Sequence, residues 1–299
     1  GKYVIEEVCR IPVFAEIASE FRYSNPIIDE NSIVIIISQS GETADTLAAL
    51  KEARKRGATT ISIVNVVGSS IANESEYVLY TWAGPEISVA TTKAYSTQLA
   101  LMYLIALDFG KKLGRVSDKF VKNMIASIED LPEKVEKILK LAPDIEKMAQ
   151  RYAYLEHAYF IGRNLDYAVA LEASLKLKEI SYIHSEAYAA GELKHGTISL
   201  IDEGTFVAAL ACNERLIAKT MSNIKEVKAR GAEVLLLTCD DYGVHSDEVD
   251  HTIEIPSTQE LLMPSLEVVP LQLFGYYVAK ARNCDIDKPK NLAKSVTVE

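Results

Sequence analysis

Cysteines are few in this sequence, and none is spaced for metal binding or thiol exchange. The 299 residues contain only Cys9, Cys212, Cys239 and Cys284, with no CxxC pair among them. Zinc, iron–sulfur and thioredoxin-like sites need closely spaced cysteines, so we expect neither a metal nor a cofactor. Scattered cysteines are typical of a reducing compartment, and we therefore expect a cytoplasmic protein.

The sequence also has no excess of positive charge, no long apolar run and no nucleotide-binding motif. The formal net charge of −10 argues against a nucleic-acid-binding surface. No uncharged apolar run reaches about 18 residues and no signal peptide is visible, so we expect no membrane association. GxGxxG and GxxxxGK followed by Ser or Thr are both absent, so no dinucleotide or P-loop site is predicted.

The most informative stretch is SIVIIISQSGETADT, residues 32–46. Its β-branched run Ile33–Ile37 is typical of a central parallel strand that is buried on both faces. A helical pattern, Ala44–Arg56, follows a turn that contains Ser38, Ser40 and Thr43. Three hydroxyls beside the free N–H groups of a helix start could hold a phosphate dianion. The alternative is an ordinary helix-capping turn, since Ser and Thr are favoured there anyway.

Strands alternate with helices along the whole chain, which indicates doubly wound parallel sheets. KEARKRGATTISIVN (Lys51–Asn65) also aligns with KEVKARGAEVLLLTC (Lys225–Cys239), so the chain contains an internal repeat. The second copy lacks the hydroxyl-rich turn, because Cys212, Asn213 and Glu214 follow its strand. We expect two tandem α/β domains, of which only the first binds a dianion.

The repeat and the charge pattern suggest domain boundaries. We expect a first domain over 1–116, a helical connector over 117–150 that is broken by Pro132 and Pro143, a second domain over 151–288 and a C-terminal tail over 289–299. Residues 1–21 align with 172–192, and the preceding strand and loop of the second copy, HAYFIGRNLD, have no counterpart. We expect the first domain to lack its first strand and loop; alternatively, the repeat is imperfect and this domain starts later. The apolar segment Val13–Ala18 favours one further short strand.

Charged side chains share one face of a helix predicted over Tyr167–Ile180. Glu172, Lys176 and Glu179 are spaced at i, i+4 and i+7. Such a row is usually a solvated face with modest ion-pair support. This helix, however, follows a parallel strand at the place where α/β sheets bind ligands, and Glu186 and His195 lie in the next loop. The cluster is a candidate for proton transfer.

The C-terminal tail has no helical or strand periodicity and contains Lys294 among small residues. A frayed terminus is one interpretation. A partly buried lysine that forms a Schiff base with a sugar carbonyl is the other.

Four motifs together resemble one known family. SQSGET, SVATTKAY, LKLKEISYIHSEAYAAGELKHG and the terminus DKPKNLAKSVTVE are similar to the isomerase half of the glucosamine-6-phosphate synthases, which are glutamine–fructose-6-phosphate aminotransferases. The resemblance covers essentially the whole chain and implies two flavodoxin-like sugar-isomerase (SIS) domains. It implies an isomerase-type enzyme of amino-sugar biosynthesis that converts fructose 6-phosphate to glucosamine 6-phosphate and acts as a homodimer.

The resemblance also implies roles for individual residues. Those that bind the substrate would be Ser38, Gln39, Ser40 and Thr43 at the phosphate, with the backbone of Val89 and Ala90 at the sugar. Those that carry the chemistry would be Glu179 as the base between C1 and C2, Lys294 as the imine-forming lysine, His195 from the neighbouring subunit in ring opening, and Glu172 and Lys176 as ordering residues.

The chain departs from the family pattern in three places. The glutaminase domain is absent, so we expect no use of glutamine. The family's Cys-Gly-Thr-Ser turn would fall before Gly1, and we expect the loss of its serine to reduce the affinity for the sugar. Thr197 stands where the family more often has Pro. A non-catalytic SIS module that binds sugar phosphates and a fructosamine-6-phosphate deglycase remain alternatives; Glu179 and Lys294 favour the synthase.

Overall fold

The computed structural model describes residues 1–244 and 248–294, and these form two compact units. Unit 1 comprises residues 1–116 together with residues 291–294 of the tail. Unit 2 comprises residues 117–290. Each unit contains one parallel sheet and its own helices.

The sheet of unit 1 has three parallel strands in the order β1-β2-β3. They are β1 (Ile33–Ser38), β2 (Thr59–Val64) and β3 (Tyr77–Tyr80). Among the described residues, β1 pairs only with β2 and is therefore an edge strand. Side chains of the sheet and its helices, including Ile36, Leu50, Val64 and Ile71, form the core beneath the carboxyl ends of β1 and β2.

Five helices surround this sheet. They are α1 (Lys2–Cys9), α2 (Ala18–Phe21), α3 (Ala44–Lys55), α4 (Ser70–Glu74) and α5 (Lys93–Lys112). The buried stripe of α1 packs against α5, where the Cys9 thiol lies 3.3 Å from the carbonyl oxygen of Ala106. The α3 helix follows β1 directly, so the turn between them holds the predicted phosphate-binding residues.

The sheet of unit 2 has five parallel strands in the order β5-β4-β6-β7-β8. They are β4 (His157–Gly162), β5 (His184–Ala189), β6 (Phe206–Ala211), β7 (Glu233–Cys239) and β8 (His251–Ile255). This is the flavodoxin-like order of a doubly wound sheet, with a topological switch point between β4 and β6. The predicted fold class is therefore confirmed.

The helices of unit 2 are α6 (Asp118–Leu139), α7 (Ala142–Arg151), α8 (Leu165–Ser181), α9 (Ile217–Lys228) and α10 (Pro264–Ala281). The segment Glu260–Ala281 is long and apolar enough to cross a membrane by length and composition. However, 72% of its apolar window is buried inside the protein, as expected for the core helix of a unit.

The internal repeat has a physical counterpart in the turn before β2 and β7. Gly57 and Gly231 have φ values of 85° and 89°, which are left-handed values that glycine adopts without strain. The next residue in each copy makes the same helix-ending bond: Ala58 N donates to Ala53 O, and Ala232 N to Val227 O, both at 3.2 Å. The shared Arg-Gly-Ala sequence therefore ends both helices in the same way.

Several local predictions were wrong. Val13–Ala18 is not a strand, and residues 184–189, which we expected to be a loop, form β5. Pro132 does not break α6, which continues to Leu139. The predicted connector is also not separate, because α6 and α7 belong to unit 2 and pack against α10.

Candidate active site

The turn after β1 in unit 1 arranges its hydroxyl groups around the start of α3. The hydroxyl of Ser38, which is 7% exposed, accepts a hydrogen bond from Gly41 N at 3.1 Å and lies 3.3 Å from Thr43 Oγ1. Ser40 Oγ accepts from Glu42 N at 3.2 Å, and Gln39 O accepts from Asn65 N at 3.1 Å. The turn is thus fixed by its own side chains and by Asn65, the residue that follows β2.

Gly41 is required at its position in this turn. Its φ is 70°, and a Cβ there would overlap the hydroxyl of Ser69 and lie 2.5 Å from the Ser69 Cβ. Gly41 O also accepts from Ile71 N at 3.0 Å, which joins the turn to α4. Only glycine allows this approach of the two segments without displacement.

Glu42 supports the turn rather than lining it. Its carboxylate accepts from Ser70 N at 2.8 Å and from Ser70 Oγ at 2.6 Å, which holds the start of α4. Because these hydrogen bonds favour the ionised form, the pKa of Glu42 is lowered from its ordinary value. The carboxylate of Glu42 is thus held by Ser70 at the start of α4 and does not bind the hydroxyls of the turn, which remain available to an anion.

Three further predicted residues lie in unit 1: Val89 and Ala90 in the segment before α5, and Lys294 in contact with that segment. Lys294 Nζ donates to the carbonyl oxygen of Ser88 at 2.6 Å, and both residues are in unit 1. Val89 is half-buried and Ala90 is buried. Lys294 thus contacts the segment that the resemblance assigns to the sugar. The tail residues 295–299 lie outside the described residues.

In unit 2, the predicted charged row lies on α8 and is largely buried. Lys176 Nζ is 2.6 Å from Glu179 Oε2 and 3.6 Å from Glu172 Oε1. The side chains of Lys176, Glu172 and Glu179 are 7%, 13% and 21% exposed. The sequence left open that these residues form an ordinary solvated face of the helix. Their side chains would then be exposed to water, whereas in the structure they are largely buried. Buried ion pairs contribute little net stability, which favours a role other than support of the fold.

Glu172 has an unusual protonation equilibrium in this row. Burial raises its pKa from 4.5 to about 7, although the Lys176 ammonium opposes the shift. The negative charge of Glu179 raises the pKa further. Glu172 therefore exchanges a proton near neutral pH, in the range where general acid–base groups work best.

The remaining predicted residue of unit 2, His195, lies in a short 3₁₀ turn, Leu193–His195, and is exposed. The structure does not show it in contact with Glu179. Glu186, which we expected in a loop, lies on β5 and accepts a hydrogen bond from the Tyr188 hydroxyl. The proton-transfer cluster in unit 2 is therefore limited to the α8 row, and a role for His195 stays a prediction.

The turn after β6 is the counterpart of the predicted phosphate-binding turn after β1, and a protein carboxylate accepts hydrogen bonds from its N–H groups. Asp166 Oδ2, from the first turn of α8, accepts from Cys212 N at 3.2 Å and from Asn213 N at 3.3 Å. Burial raises the pKa of Asp166 to about 7, although these two N–H donors oppose the shift. This arrangement is a physical reason why unit 2 would not bind a second dianion. Asp166 could not be identified from the sequence, because its partners lie 46 and 47 residues away.

Glu267, on α10, is a second buried carboxyl that the sequence analysis missed. It is fully buried, and in the part of the chain that the structure describes neither of its oxygens has a hydrogen-bond partner. Burial, followed by the nearby charge of Asp166, raises its pKa well above the ordinary value. An acidic residue inside an otherwise apolar helix is the signal in the sequence that could have identified it.

Comparisons with known proteins support the resemblance. The SIS domain family matches residues 1–108 and 154–281. Two relatives named glutamine–fructose-6-phosphate aminotransferase (isomerizing), from Caldanaerobacter subterraneus subsp. tengcongensis and Clostridium tetani, are 57% and 56% identical over 299 residues. Each match covers 100% of this chain and 49% of the relative, so the chain spans about half the length of these relatives.

Solved structures match the fold over most of the chain. The C-terminal domain of glucosamine-fructose-6-phosphate aminotransferase from Francisella tularensis is 38% identical, with a TM-score of 0.93, and the match covers 96% of this chain and 82% of that one. Glucosamine-6-phosphate deaminase from Thermotoga maritima is 26% identical, with a TM-score of 0.74 and coverage of 99% and 85%. The chain therefore belongs to the SIS domain family and corresponds to the C-terminal, isomerase portion of the glutamine–fructose-6-phosphate aminotransferases.

Proposed function

We propose that this chain converts fructose 6-phosphate and ammonia to glucosamine 6-phosphate and water. The observation that carries the proposal is the buried Glu172–Lys176–Glu179 row on α8. A module that only binds a sugar phosphate needs an anion site but no buried acid–base row. An enzyme that moves a proton between adjacent carbons needs such a row.

The phosphate of the substrate would bind at the turn after β1. Ser38, Ser40 and Thr43 offer hydroxyl groups, and Gln39 offers an amide. The first-turn N–H groups of α3 add their partial positive charge. The backbone at Val89 and Ala90 would hold the sugar.

The covalent chemistry is assigned to Lys294. Its neutral amine attacks the C2 carbonyl of the open-chain ketose, and water leaves as the imine forms. Ammonia then adds to C2 and displaces the lysine, so that nitrogen remains on C2 and the amine of Lys294 is restored. Lys294 Nζ donates to Ser88 O at 2.6 Å, next to Val89 and Ala90, and this contact supports the assignment of Lys294 to the sugar site.

Glu179 is the proposed base for the isomerisation. Its carboxylate removes a proton from C1 and returns it to C2, while the proton of the C1 hydroxyl passes to the nitrogen. These two transfers yield an aldehyde at C1 and an amine at C2. The ion pair with Lys176 at 2.6 Å orients the carboxylate, and Glu172 orders Lys176 from the other side. We propose that His195 of the partner subunit assists ring opening in a homodimer.

The cellular setting belongs to the same proposal. Cys9, Cys212 and Cys239 are buried as free thiols, as is typical of a reducing compartment, which supports a cytoplasmic enzyme.

The test measures interconversion of fructose 6-phosphate and glucose 6-phosphate, a reaction that needs the base but no ammonia. We expect turnover by the parent chain and a 10²- to 10⁴-fold lower kcat for Glu179→Gln, the range typical of general acid–base catalysis. Lys178→Gln is the matched control, because Lys178 is the exposed neighbour on the same helix and its loss should leave kcat unchanged.

A second measurement addresses the lysine. Imine formation releases water and borohydride adds two hydrogens. Reduction in the presence of fructose 6-phosphate should therefore add the mass of the sugar phosphate less one oxygen to the parent but not to Lys294→Arg. Binding of the sugar phosphate without turnover or imine trapping would instead favour the binding module. Equal kcat values for the parent and Glu179→Gln would remove Glu179 from the mechanism.

A further inference from the structure

Two exposed histidines face each other at the start of the β4–β5 pair in unit 2. His157 is the first residue of β4, His184 is the first residue of β5, and they are direct partners in the parallel register. Their Nδ1 atoms are 3.3 Å apart, and their rings meet edge to face with centroids 5.4 Å apart. Both side chains are exposed.

This spacing matches that of two nitrogen ligands on one metal ion. Zinc–nitrogen bonds of 2.0–2.1 Å at a tetrahedral angle place the two nitrogens about 3.3 Å apart. The two Nδ1 atoms could therefore bind one ion with little movement of either strand. A hydrogen bond between two neutral rings has a similar length, so the distance alone does not decide between the two.

Glu186 and Tyr188, which lie next to His184 on the same face of β5, favour metal binding over a simple hydrogen bond between the two rings. Its second ring nitrogen, Nε2, lies 3.7 Å from Glu186 Oε1, and the Tyr188 hydroxyl donates to the other oxygen of the same carboxylate. These residues are at alternate positions of β5 and share one face of the strand. At 3.7 Å the carboxylate is a small movement away from accepting a hydrogen bond from Nε2, and such a bond fixes the orientation and tautomer of a ligating histidine.

We propose that His157 and His184 form a two-histidine site for a divalent ion of the Zn²⁺, Ni²⁺ and Cu²⁺ group, with Glu186 as a positioning residue. Imidazole nitrogen suits these ions rather than Mg²⁺ or Ca²⁺. Within residues 1–244 and 248–294, no group of three or more His, Cys, Asp or Glu side chains is arranged to hold a metal. Water or an external ligand would therefore complete the coordination, and the ion would exchange readily.

The position of the two histidines indicates a role in stability rather than in the proposed reaction. It lies at the amino ends of the strands, whereas ligands of α/β sheets bind at the carboxyl ends. No step of the proposed reaction uses it. A bound ion would join the edge strand β5 to β4 at its first residue, so metal binding should stabilise unit 2.

The experiment is a calorimetric titration of the tag-free protein with ZnCl₂, NiCl₂ and CuCl₂, each alone. We expect one ion per chain, bound most tightly for Cu²⁺, in line with the general affinity order of divalent metals. His157→Gln and His184→Gln should each weaken binding at least tenfold, and Glu186→Gln should weaken it about tenfold. His195→Gln is the matched control, since it removes an exposed histidine elsewhere in unit 2 and should leave the affinity unchanged.

Electron paramagnetic resonance of the Cu²⁺-loaded protein gives an independent signature. We expect hyperfine coupling to two imidazole nitrogens in the parent and to one in either histidine variant. Absence of binding by the parent would overturn the proposal, and so would equal affinity of the parent and both histidine variants. Both side chains are exposed, so their replacement removes no core contact.

Discussion

Replacement of Glu172 by Gln should change how the stability of unit 2 depends on pH. The folded pKa of Glu172, about 7, lies above its ordinary value of 4.5. Between these two values the folded protein holds a proton that the unfolded chain has released. The contribution of Glu172 to the unfolding free energy is therefore complete below about pH 4.5 and decreases as the pH rises to about 7.

The magnitude follows from the same two pKa values. One pKa unit corresponds to about 1.4 kcal/mol, so the contribution lost across this range is about 3 kcal/mol at most. The amide of Gln is similar in size to the carboxyl group of Glu but does not titrate. The stability of Glu172→Gln relative to the parent should therefore rise by up to about 3 kcal/mol between about pH 4.5 and pH 7, and then level off.

The assay is urea unfolding at several pH values and constant ionic strength. Far-ultraviolet circular dichroism is the suitable signal, because the single tryptophan, Trp82, lies in unit 1. Leu175→Gln is the matched control, since Leu175 is 41% exposed on the same helix and its replacement adds an amide without removing a titrating group. This control should keep the pH profile of the parent.

The buried carboxyls Asp166 and Glu267 also have raised pKa values, so both proteins should lose stability as the pH rises. Only the difference between parent and variant isolates Glu172. A difference that is the same at about pH 5 and pH 7 would refute the assigned burial of its charge.

Three further predictions concern packing and reactivity. Gly41→Ala should destabilise unit 1 by about 2–4 kcal/mol and weaken sugar-phosphate binding. Gly68→Ala is the control: Gly68 also has a left-handed φ but lies in open space, so this change should cost only about 1–2 kcal/mol. Tryptophan fluorescence in urea measures the stability of both variants, and a binding titration measures their affinity for the sugar phosphate. Phe274→Ala removes a 2% exposed ring from the core of unit 2 and should cost about 3–5 kcal/mol in thermal or urea unfolding; a cost below about 1 kcal/mol would show that the site is not packed as described. Burial raises the pKa of the Cys212 thiol well above its ordinary value, which disfavours the reactive thiolate. Ellman's reagent should therefore modify the half-buried Cys284 first and Cys212 only on unfolding. Mass spectrometry of timed samples measures the order of modification.

The sequence predicts central strands more reliably than edge strands in this protein. The run Ile33–Ile37 was identified correctly because a β-branched apolar segment between polar ones has few other structures available. The β5 strand, HSEAYA, was missed because it lies at the sheet edge and most of its side chains are only partly buried. Its strand structure depends on pairing with β4, which a local pattern cannot reveal.

Proline in α6 shows the same limit for helices. A proline inside a helix removes one hydrogen bond and is expected to break or bend it. Met124, Leu131 and Ile138 are buried at intervals of seven residues along α6, and this apolar stripe packs in unit 2 on both sides of Pro132. Tertiary burial therefore outweighs the local penalty, which the sequence alone does not quantify.

For the candidate site, the sequence predictions rest on residues that are close together in the chain, whereas contacts between distant residues could not be predicted. The Ser38–Thr43 turn and the i, i+4, i+7 row of α8 are local patterns. The carboxylate of Asp166 at the turn after β6 depends on a contact across 46 residues. Nothing in the surrounding helical pattern distinguishes Asp166 from an acidic residue in the first turn of any helix.

Asp166 also makes the divergence of the two repeats difficult to reverse. A mutation that restored a hydroxyl after β6 would leave this carboxylate on the N–H groups, where it would still repel a phosphate. Loss of Asp166 alone would leave two buried N–H groups unpaired, at about 1–3 kcal/mol each. Neither single change is favoured, so a return of the second copy to a hydroxyl-rich turn would need both changes at once.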